Sequence, residues 1–245
     1  MDAFVVAAVV VAAYALGSIS FAMLAVRWKL GVDLRTVGSG NLGATNASRV
    51  LGRGYGVAIY LLDFLKGFAP VFVTERFLGD PPLFGANGPS LAAAAGLAAF
   101  LGHCYPAWHG FRGGKGVATA SGLVIALSPA AGFTALAVFG LLVLTVRMIS
   151  VGSTLAAAVL PFAYIAFAGR ATAFSGRGGY VTGLFTLIAA WVIVRHRSNL
   201  VRVWNGTEAK IGSKKTSSPS STSETDAKTQ GPAADALAPD SGNRT

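Results

Sequence analysis

The chain has 245 residues, of which 53% are hydrophobic and 12% are charged, and its formal net charge is +10. Soluble domains carry about 25% charged residues, so a soluble protein of this composition could not cover its surface. The positive charge suits anionic partners such as lipid headgroups or phosphorylated substrates. Nucleic acid fits poorly, because the basic residues lie between apolar segments. The single cysteine excludes a disulfide framework within the chain.

Long apolar segments predict an all-α integral membrane protein. A helix needs about 20 apolar residues to cross a hydrocarbon core about 30 Å thick. Proline breaks or kinks a helix interior, so Ser128-Pro129 divides one segment into 118–127 and 130–147, a pair that returns to its entry side. We therefore expect about seven helices, as five full crossings plus one broken or re-entrant pair. The segments are 3–26, 55–77, 91–104, 118–147, 151–168 and 180–194.

The distribution of Lys and Arg predicts the orientation. Loops 27–53 and 105–117 and the stretch after Arg195 are basic, and basic loops stay in the cytoplasm. This places the N-terminus outside and the C-terminus inside a bacterial inner membrane, with loop 169–179 as a mild exception. Residues 213–245 are rich in Ser, Thr, Pro and Ala and predict a disordered cytoplasmic tail, which leaves 1–212 as the membrane domain.

The first polar loop, residues 35–49, combines glycines with hydroxyl and amide side chains between two arginines. Glycine lets a ligand approach the backbone, and clustered N–H groups form anion-binding nests. Arginine adds bidentate phosphate geometry. The alternative is a flexible basic loop that touches lipid headgroups. The candidate phosphate-binding residues are Ser39, Gly40, Asn41, Gly43, Thr45, Asn46 and Arg49.

The second polar loop spans residues 102–119 and contains the sequence Gly-Gly-Lys-Gly before an apolar helix. A lysine flanked by glycines is typical of a phosphate cradle, and Arg112, Gly114 and Lys115 are candidates. The spacing is not that of the nucleotide P-loop, so ATP is not implied. By themselves, His103 and His109 are interpreted as structural or interfacial.

The third stretch, residues 195–208, contains His196 and Asn199, which share one face of a helix because they are three residues apart. Neighbouring arginines favour a neutral histidine. The alternative is a basic helix end that snorkels to the membrane surface. Inside the second apolar segment, Asp63 and Lys66 are three residues apart. Intramembrane charges are usually paired or functional. We expect a structural pair that braces the first loop, and a functional role is the alternative.

Together these stretches resemble the bacterial acyl-phosphate-dependent glycerol-3-phosphate acyltransferase family, the PlsY type. The resemblance covers about residues 1–212, with matches at 17–19, 35–49, 63–67, 102–119 and 195–208. Ser20 and Leu42 stand where the family often has proline, and Arg112 stands where it often has lysine.

The resemblance implies a reaction in which acyl phosphate and sn-glycerol 3-phosphate give 1-acylglycerol 3-phosphate and phosphate, as the first acylation of phospholipid synthesis. It implies a seven-helix fold embedded in membrane lipid, with no metal and no cofactor. By motif, Ser39, Arg49, Lys115, His196 and Asn199 surround the substrate phosphates, and either Ser150 or Ser153 contributes.

The expected catalytic residues are His196, Asn199 and Ser39. The motif of His, four residues and Asp that marks the other glycerolipid acyltransferase class is absent. We expect His196 and Asn199 to orient the substrate hydroxyl while a substrate phosphate oxygen takes its proton. The alternative is that His196 itself is the base.

Three other functions compete with this interpretation. A transporter or channel for phosphorylated anions would use broken helices and basic, glycine-rich sites, but the sequence has no convincing internal repeat. A scaffold that binds anionic lipid leaves the pattern at residues 38–46 unexplained. An enzyme that uses acyl-CoA would need adenine and diphosphate recognition, for which no motif is visible.

Overall fold

The computed structural model describes residues 2–212, and the predicted disordered tail at 213–245 lies outside the described residues. The described part has no strand beyond one isolated bridge between Pro82 and Ser90, which confirms the all-α class. Two short 3₁₀ turns, Leu34–Thr36 and Ala107–His109, lie in the polar loops. The α-helices are α1 Ala3–Gly17, α2 Phe21–Leu30, α3 Ala44–Leu51, α4 Arg53–Phe77, α5 Leu91–Cys104, α6 Val117–Leu127, α7 Pro129–Val146, α8 Ile149–Ala168, α9 Arg170–Ala173, α10 Gly176–Arg195 and α11 Arg197–Trp204.

Five of these segments are long and apolar enough to cross a membrane. They are Ala3–Leu30, which joins α1 and α2, and the helices α4, α7, α8 and α10. The sequence analysis predicted that 91–104 crosses the membrane fully. Helix α5 has 14 residues and is about 21 Å long at 1.5 Å per residue, which is shorter than a full crossing needs. The same prediction did not include 130–147 among the full crossings, although α7 has the length and composition that a crossing requires.

The first apolar segment is two helices, whereas the sequence predicted one span at 3–26. Helix α1 ends at Gly17, and the Ser20 hydroxyl caps α2 by accepting a hydrogen bond from the Met23 N–H at 3.3 Å. Serine offers such a cap where the backbone leaves helical geometry. A Cβ at Gly17 would lie 2.1 Å from the Ala99 carbonyl oxygen, so the glycine allows α1 to pack closely on α5.

The predicted break at Ser128-Pro129 is present. Helix α6 ends at Leu127, and Pro129 is the first residue of α7, a position where its missing N–H is not needed. Lys115, just before α6, hydrogen-bonds to Asn199. Arg147, just after α7, exchanges hydrogen bonds with Ile211 at 2.7 and 2.8 Å. The pair therefore begins and ends at the same end of the molecule.

Close contact between α4 and α6 fixes the start of α6. A Cβ at Gly67 would lie 2.0 Å from the Thr119 carbonyl oxygen, and one at Gly122 would lie 2.0 Å from that of Phe64. Small residues at helix interfaces allow such close packing in membranes. The second polar loop is consequently anchored to α4.

The buried pair in α4 forms as predicted, and Lys66 also contacts the break between α1 and α2. Lys66 Nζ lies 2.9 Å from Asp63 Oδ1, and both side chains are 2% exposed. Lys66 also donates a hydrogen bond to the Ile19 carbonyl at 2.8 Å. That carbonyl lies in the break between α1 and α2, where the helix leaves it unpaired. The pair therefore braces the helix break, and its expected support of the first loop stays a prediction.

Candidate functional site

Asn46 holds the first polar loop in shape. Its Oδ1 accepts a hydrogen bond from the Ser39 N–H at 2.7 Å, and its Nδ2 donates to the Val37 carbonyl at 3.1 Å. Gly38 and Gly40 adopt φ values of 64° and 69°, which favour glycine. Because Asn46 is 1% exposed and its amide is used within the loop, it shapes the nest and does not present its side chain to a ligand.

The three polar stretches meet at one cleft of about 380 Å³, a size typical of small-molecule sites. Its lining is strongly basic, and part of it is aromatic, through Tyr105 and Phe111. Each of the three stretches therefore contributes to the lining, whereas Lys115, His196 and Asn199 are not among the lining residues. The polar lining consists of Arg35, Ser39, Gly40 and Asn41 from the first loop, Arg112 and Gly113 from the second, and Arg195 from the third.

A chain of hydrogen bonds connects Lys115 to the C-terminal part of the fold. Lys115 Nζ donates to Asn199 Oδ1, and Asn199 Nδ2 donates to Glu208 Oε1 at 2.7 Å. Ser150 Oγ donates to the same carboxylate oxygen at 2.7 Å, and Arg202 Nε donates to Oε2 at 2.8 Å. Glu208 thus fixes Asn199 from behind, and Asn199 in turn fixes the ammonium group.

His196 is buried at the end of α10 with only 3% exposure. Its Nδ1 lies 2.7 Å from the Val192 carbonyl. A carbonyl only accepts hydrogen bonds, which assigns the proton to Nδ1 and leaves Nε2 as an acceptor. Burial, followed by the charge of Lys115, lowers the pKa of His196 to about 4. The ring is therefore neutral at pH 7.

The charges around Lys115 are not balanced. Burial, aided by Arg202, Arg195 and Arg49, lowers the pKa of Lys115 to about 8, although Glu208 acts in the opposite direction. Burial alone would raise the pKa of Glu208, but hydrogen bonds from Asn199, Ser150 and Arg202 hold it below its ordinary value. An anion bound here would relieve the repulsion among the cations.

The remaining predicted residues lie on neighbouring elements. Gly43 caps the N-terminus of α3, and Thr45 is half-buried in its first turn. Arg49 is exposed on α3, close enough for its charge to act on Lys115. Ser153 is buried one turn after Ser150, and only Ser150 has a bond to Glu208. The Gly114 carbonyl accepts a hydrogen bond from Arg195 at 3.3 Å.

Sequence reasoning assigned no role to Glu208 or Arg195. A signal for Glu208 was present, since it is the first acidic residue after Asp80. Arg195 lines the cleft, and its Nε is buried without a hydrogen-bond partner in residues 2–212. In the same described residues, no group of three or more His, Cys, Asp or Glu side chains could hold a metal ion.

Fold and site together define a class: a helical membrane protein with a basic, glycine-lined cleft suited to phosphate groups. A family model described as glycerol-3-phosphate acyltransferase matches residues 7–206. The glycerol-3-phosphate acyltransferase of Geobacter sulfurreducens is 44% identical over 200 residues, covering 81% of this chain and 94% of the relative. That of Aquifex aeolicus is 42% identical over 202 residues, covering 82% and 97%.

Two solved structures have the same fold. Both are of PlsY, an integral membrane glycerol 3-phosphate acyltransferase. The glycerol 3-phosphate form has a TM-score of 0.72 and 39% identity, covering 84% of this chain and 96% of that one. The lysophosphatidic acid form has a TM-score of 0.69 and 37% identity, covering 84% and 95%. The chain belongs to the glycerol-3-phosphate acyltransferase family, which confirms the resemblance found in the sequence.

Proposed function

We propose that the protein transfers an acyl group from acyl phosphate to sn-glycerol 3-phosphate, giving 1-acylglycerol 3-phosphate and inorganic phosphate. The observation that carries the proposal is the convergence of the three polar stretches, in which Lys115 meets the neutral amide of Asn199 beside a cleft lined by Arg112 and Arg195. Both substrates bear phosphate, and uncompensated cations beside a glycine nest bind it. The glycerol 3-phosphate and lysophosphatidic acid forms of the solved relatives support the acceptor and the product.

The chemistry needs little beyond positioning and charge stabilisation. The glycerol hydroxyl oxygen attacks the acyl carbonyl carbon and forms the ester bond. The bond from that carbon to the phosphate oxygen breaks, and its electron pair leaves with phosphate. Lys115 and the arginines of the cleft stabilise the developing charge. Because an acyl phosphate is an activated anhydride, alignment of the hydroxyl supplies much of the rate.

His196 and Asn199 orient the reacting hydroxyl in this proposal. With its Nδ1 proton held by Val192, His196 presents Nε2 as a hydrogen-bond acceptor. A pKa of about 4 makes it a weak base, far from the value near the working pH that suits proton abstraction. A phosphate oxygen of the substrate therefore takes the proton. Ser39 completes the set as a donor at the edge of the cleft.

The proposal places the enzyme in a bacterial inner membrane, with the N-terminus outside and the cleft facing the cytoplasm. The basic residues of the site support this orientation, because loops rich in Lys and Arg stay inside. A water-soluble maleimide that cannot cross the membrane tests it in intact cells. A cysteine introduced in place of Ser39 should be labelled only after permeabilisation, and one in place of Phe84, which is 97% exposed, should be labelled before it.

The deciding experiment supplies purified protein in a lipid phase with radiolabelled glycerol 3-phosphate and either acyl phosphate or acyl-CoA. We expect lysophosphatidic acid and phosphate with acyl phosphate alone. Product with acyl-CoA alone would keep the acyltransferase class but overturn the donor. Glycerol 3-phosphate that binds without any product, together with flux into proteoliposomes, would favour a transporter.

A further inference from the structure

His103, on the last turn of α5, lies between the buried pair of α4 and the glycine-lysine loop. Its Nδ1 is 3.6 Å from Asp63 Oδ1, and its side chain is 5% exposed. Asp63 is itself held by Lys66 at 2.9 Å. On its α4 side the imidazole ring therefore packs against a buried carboxylate that is already paired with Lys66.

The opposite edge of the ring faces Gly114. A Cβ at Gly114 would lie 2.1 Å from His103 Nε2, so the ring occupies the space that any side chain at this position needs. The Gly114 N–H also donates to the His103 carbonyl at 3.1 Å, and the Gly114 carbonyl accepts from Arg195. The peptide that precedes Lys115 is thus held by His103 through both its ring and its backbone.

We propose that His103 is a positioning residue for Lys115. The ring, seated on Asp63, provides the surface against which Gly114 packs, and this sets where the Lys115 ammonium meets Asn199. The inference rests on the proposed function in one respect, namely that Lys115 binds a substrate phosphate. It gives the buried Asp63–Lys66–His103 cluster a second task, in addition to bracing the break at Ile19.

The glycine requirement at position 114 is steric. The φ of Gly114 does not lie between +20° and +160°, the range that residues with side chains avoid. The backbone therefore permits alanine, and only the imidazole ring of His103 would clash with its Cβ. Gly113 provides a matched contrast, because a Cβ there would lie 2.1 Å from the backbone carbonyl oxygen of His103. Removal of the ring makes room at position 114 and none at 113.

The experiment is a double-mutant cycle in purified, monodisperse protein, with kcat and KM for glycerol 3-phosphate measured for Gly114→Ala, His103→Ala and the double variant. Such a cycle isolates the coupling between the two positions. We expect Gly114→Ala to raise KM and lower kcat/KM at least thirtyfold in the parent background. In the His103→Ala background the same alanine should change kcat/KM less than threefold. His103→Gln should retain more activity than His103→Ala.

Two controls sharpen the cycle. Gly113→Ala should lose activity equally with and without the ring, and Gly183→Ala, where a Cβ meets nothing within 4 Å, should leave kinetics unchanged. Additive effects of Gly114→Ala and His103→Ala would overturn the inference. So would a loss of kcat with KM unchanged, because that pattern indicates a smaller folded fraction.

A readout that does not depend on catalysis separates this inference from the proposed function. The rate at which acetic anhydride modifies Lys115, followed by mass spectrometry, reports the placement of its ammonium group directly. The modification rate should change severalfold between the parent protein and Gly114→Ala. It should change less than twofold between His103→Ala and the double variant. If the parent protein transfers no acyl group, the proposed function fails, and this modification rate alone decides the positioning role.

Discussion

Two lysines of residues 2–212, Lys66 and Lys115, are partly or fully buried, and their partners differ. Lys66 is 2% exposed and faces the carboxylate of Asp63 and the carbonyl of Ile19. Lys115 is half-buried and donates a hydrogen bond to the neutral amide of Asn199. The carboxylate of Glu208 lies behind that amide and bonds to Asn199. The charge of Lys66 is balanced by a carboxylate in direct contact, and the charge of Lys115 is not balanced in this way.

The difference favours Lys115, and not Lys66, as the lysine of a binding site. A buried ion whose charge is balanced within the fold has nothing to offer a ligand, since any new partner would have to displace an existing one. A cation held by a neutral amide and surrounded by further cations gains from the arrival of an anion. Each of the following predictions changes one side of this contrast.

The largest expected effect is on stability, at the neutralised pair. Lys66→Met leaves the Asp63 carboxylate buried without its cation, and breaking such a pair costs about 3–5 kcal/mol. The free energy of unfolding in mixed detergent micelles measures the loss. Asp63→Asn combined with Lys66→Met should recover much of it, because no buried charge then remains. A single variant as stable as the parent would contradict the pairing.

The unneutralised lysine should behave in the opposite way. Lys115→Met removes one electrostatic donor to the substrate phosphate and should lower kcat/KM about 10²–10³-fold. Its unfolding free energy should change little, because no partner charge is left buried alone. Lys115→Arg serves as the control that keeps the charge and should retain more activity. A loss of less than tenfold in Lys115→Met would mean that Lys115 does not bind substrate.

Glu208 links the two lysine environments, because its carboxylate holds Asn199, which in turn accepts a hydrogen bond from Lys115. Glu208→Gln weakens charge-assisted hydrogen bonds to Asn199 and Arg202 that are worth about 1.5–3 kcal/mol each. We expect kcat/KM to fall about ten- to hundredfold. Ser150→Ala removes only one of the donors to the same carboxylate and leaves its bonds to Asn199 and Arg202 in place, so it should lower activity less. A reversed order would contradict the role given to Glu208.

The residues around the two lysines could be predicted from the sequence to different degrees. The motifs identified Lys115, His196 and Asn199 because glycine and basic residues cluster around them, and a spacing of three residues indicated the Asp63–Lys66 pair. The Ile19 contact of that pair could not be read from spacing, because it depends on the break between α1 and α2, which spacing within α4 does not reveal. The role of Glu208 likewise depends on the chain turning back towards Ser150.

A smaller effect is expected from pH. Since burial lowers the pKa of Lys115 to about 8, its charge is lost as pH rises, and kcat/KM for glycerol 3-phosphate should fall above about pH 8. Lys115→Arg should remove this limb, because arginine stays protonated. Between about pH 8 and the ordinary value of 10.5, the unfolded chain binds more protons, so this group makes the native state more stable as pH rises. A limb that persists in Lys115→Arg would assign it to another group.

The smallest effect is expected at Arg35 and Arg112, two arginines of the cleft. They differ in the same way as the two lysines, because one is paired with a carboxylate and the other is not. Asp33 engages Arg35 through Nε at 3.0 and 3.1 Å, whereas no acidic group of residues 2–212 pairs with Arg112. Exposed charge pairs are worth up to about 1 kcal/mol, so Arg112→Gln should lower kcat/KM about fivefold and Arg35→Gln less than about twofold. In an Asp33→Asn background, Arg35 is released, and its replacement should then have an effect similar to that of Arg112→Gln. Equal effects of the two replacements in the parent protein would show that neutralisation by Asp33 does not decide which arginine meets the substrate.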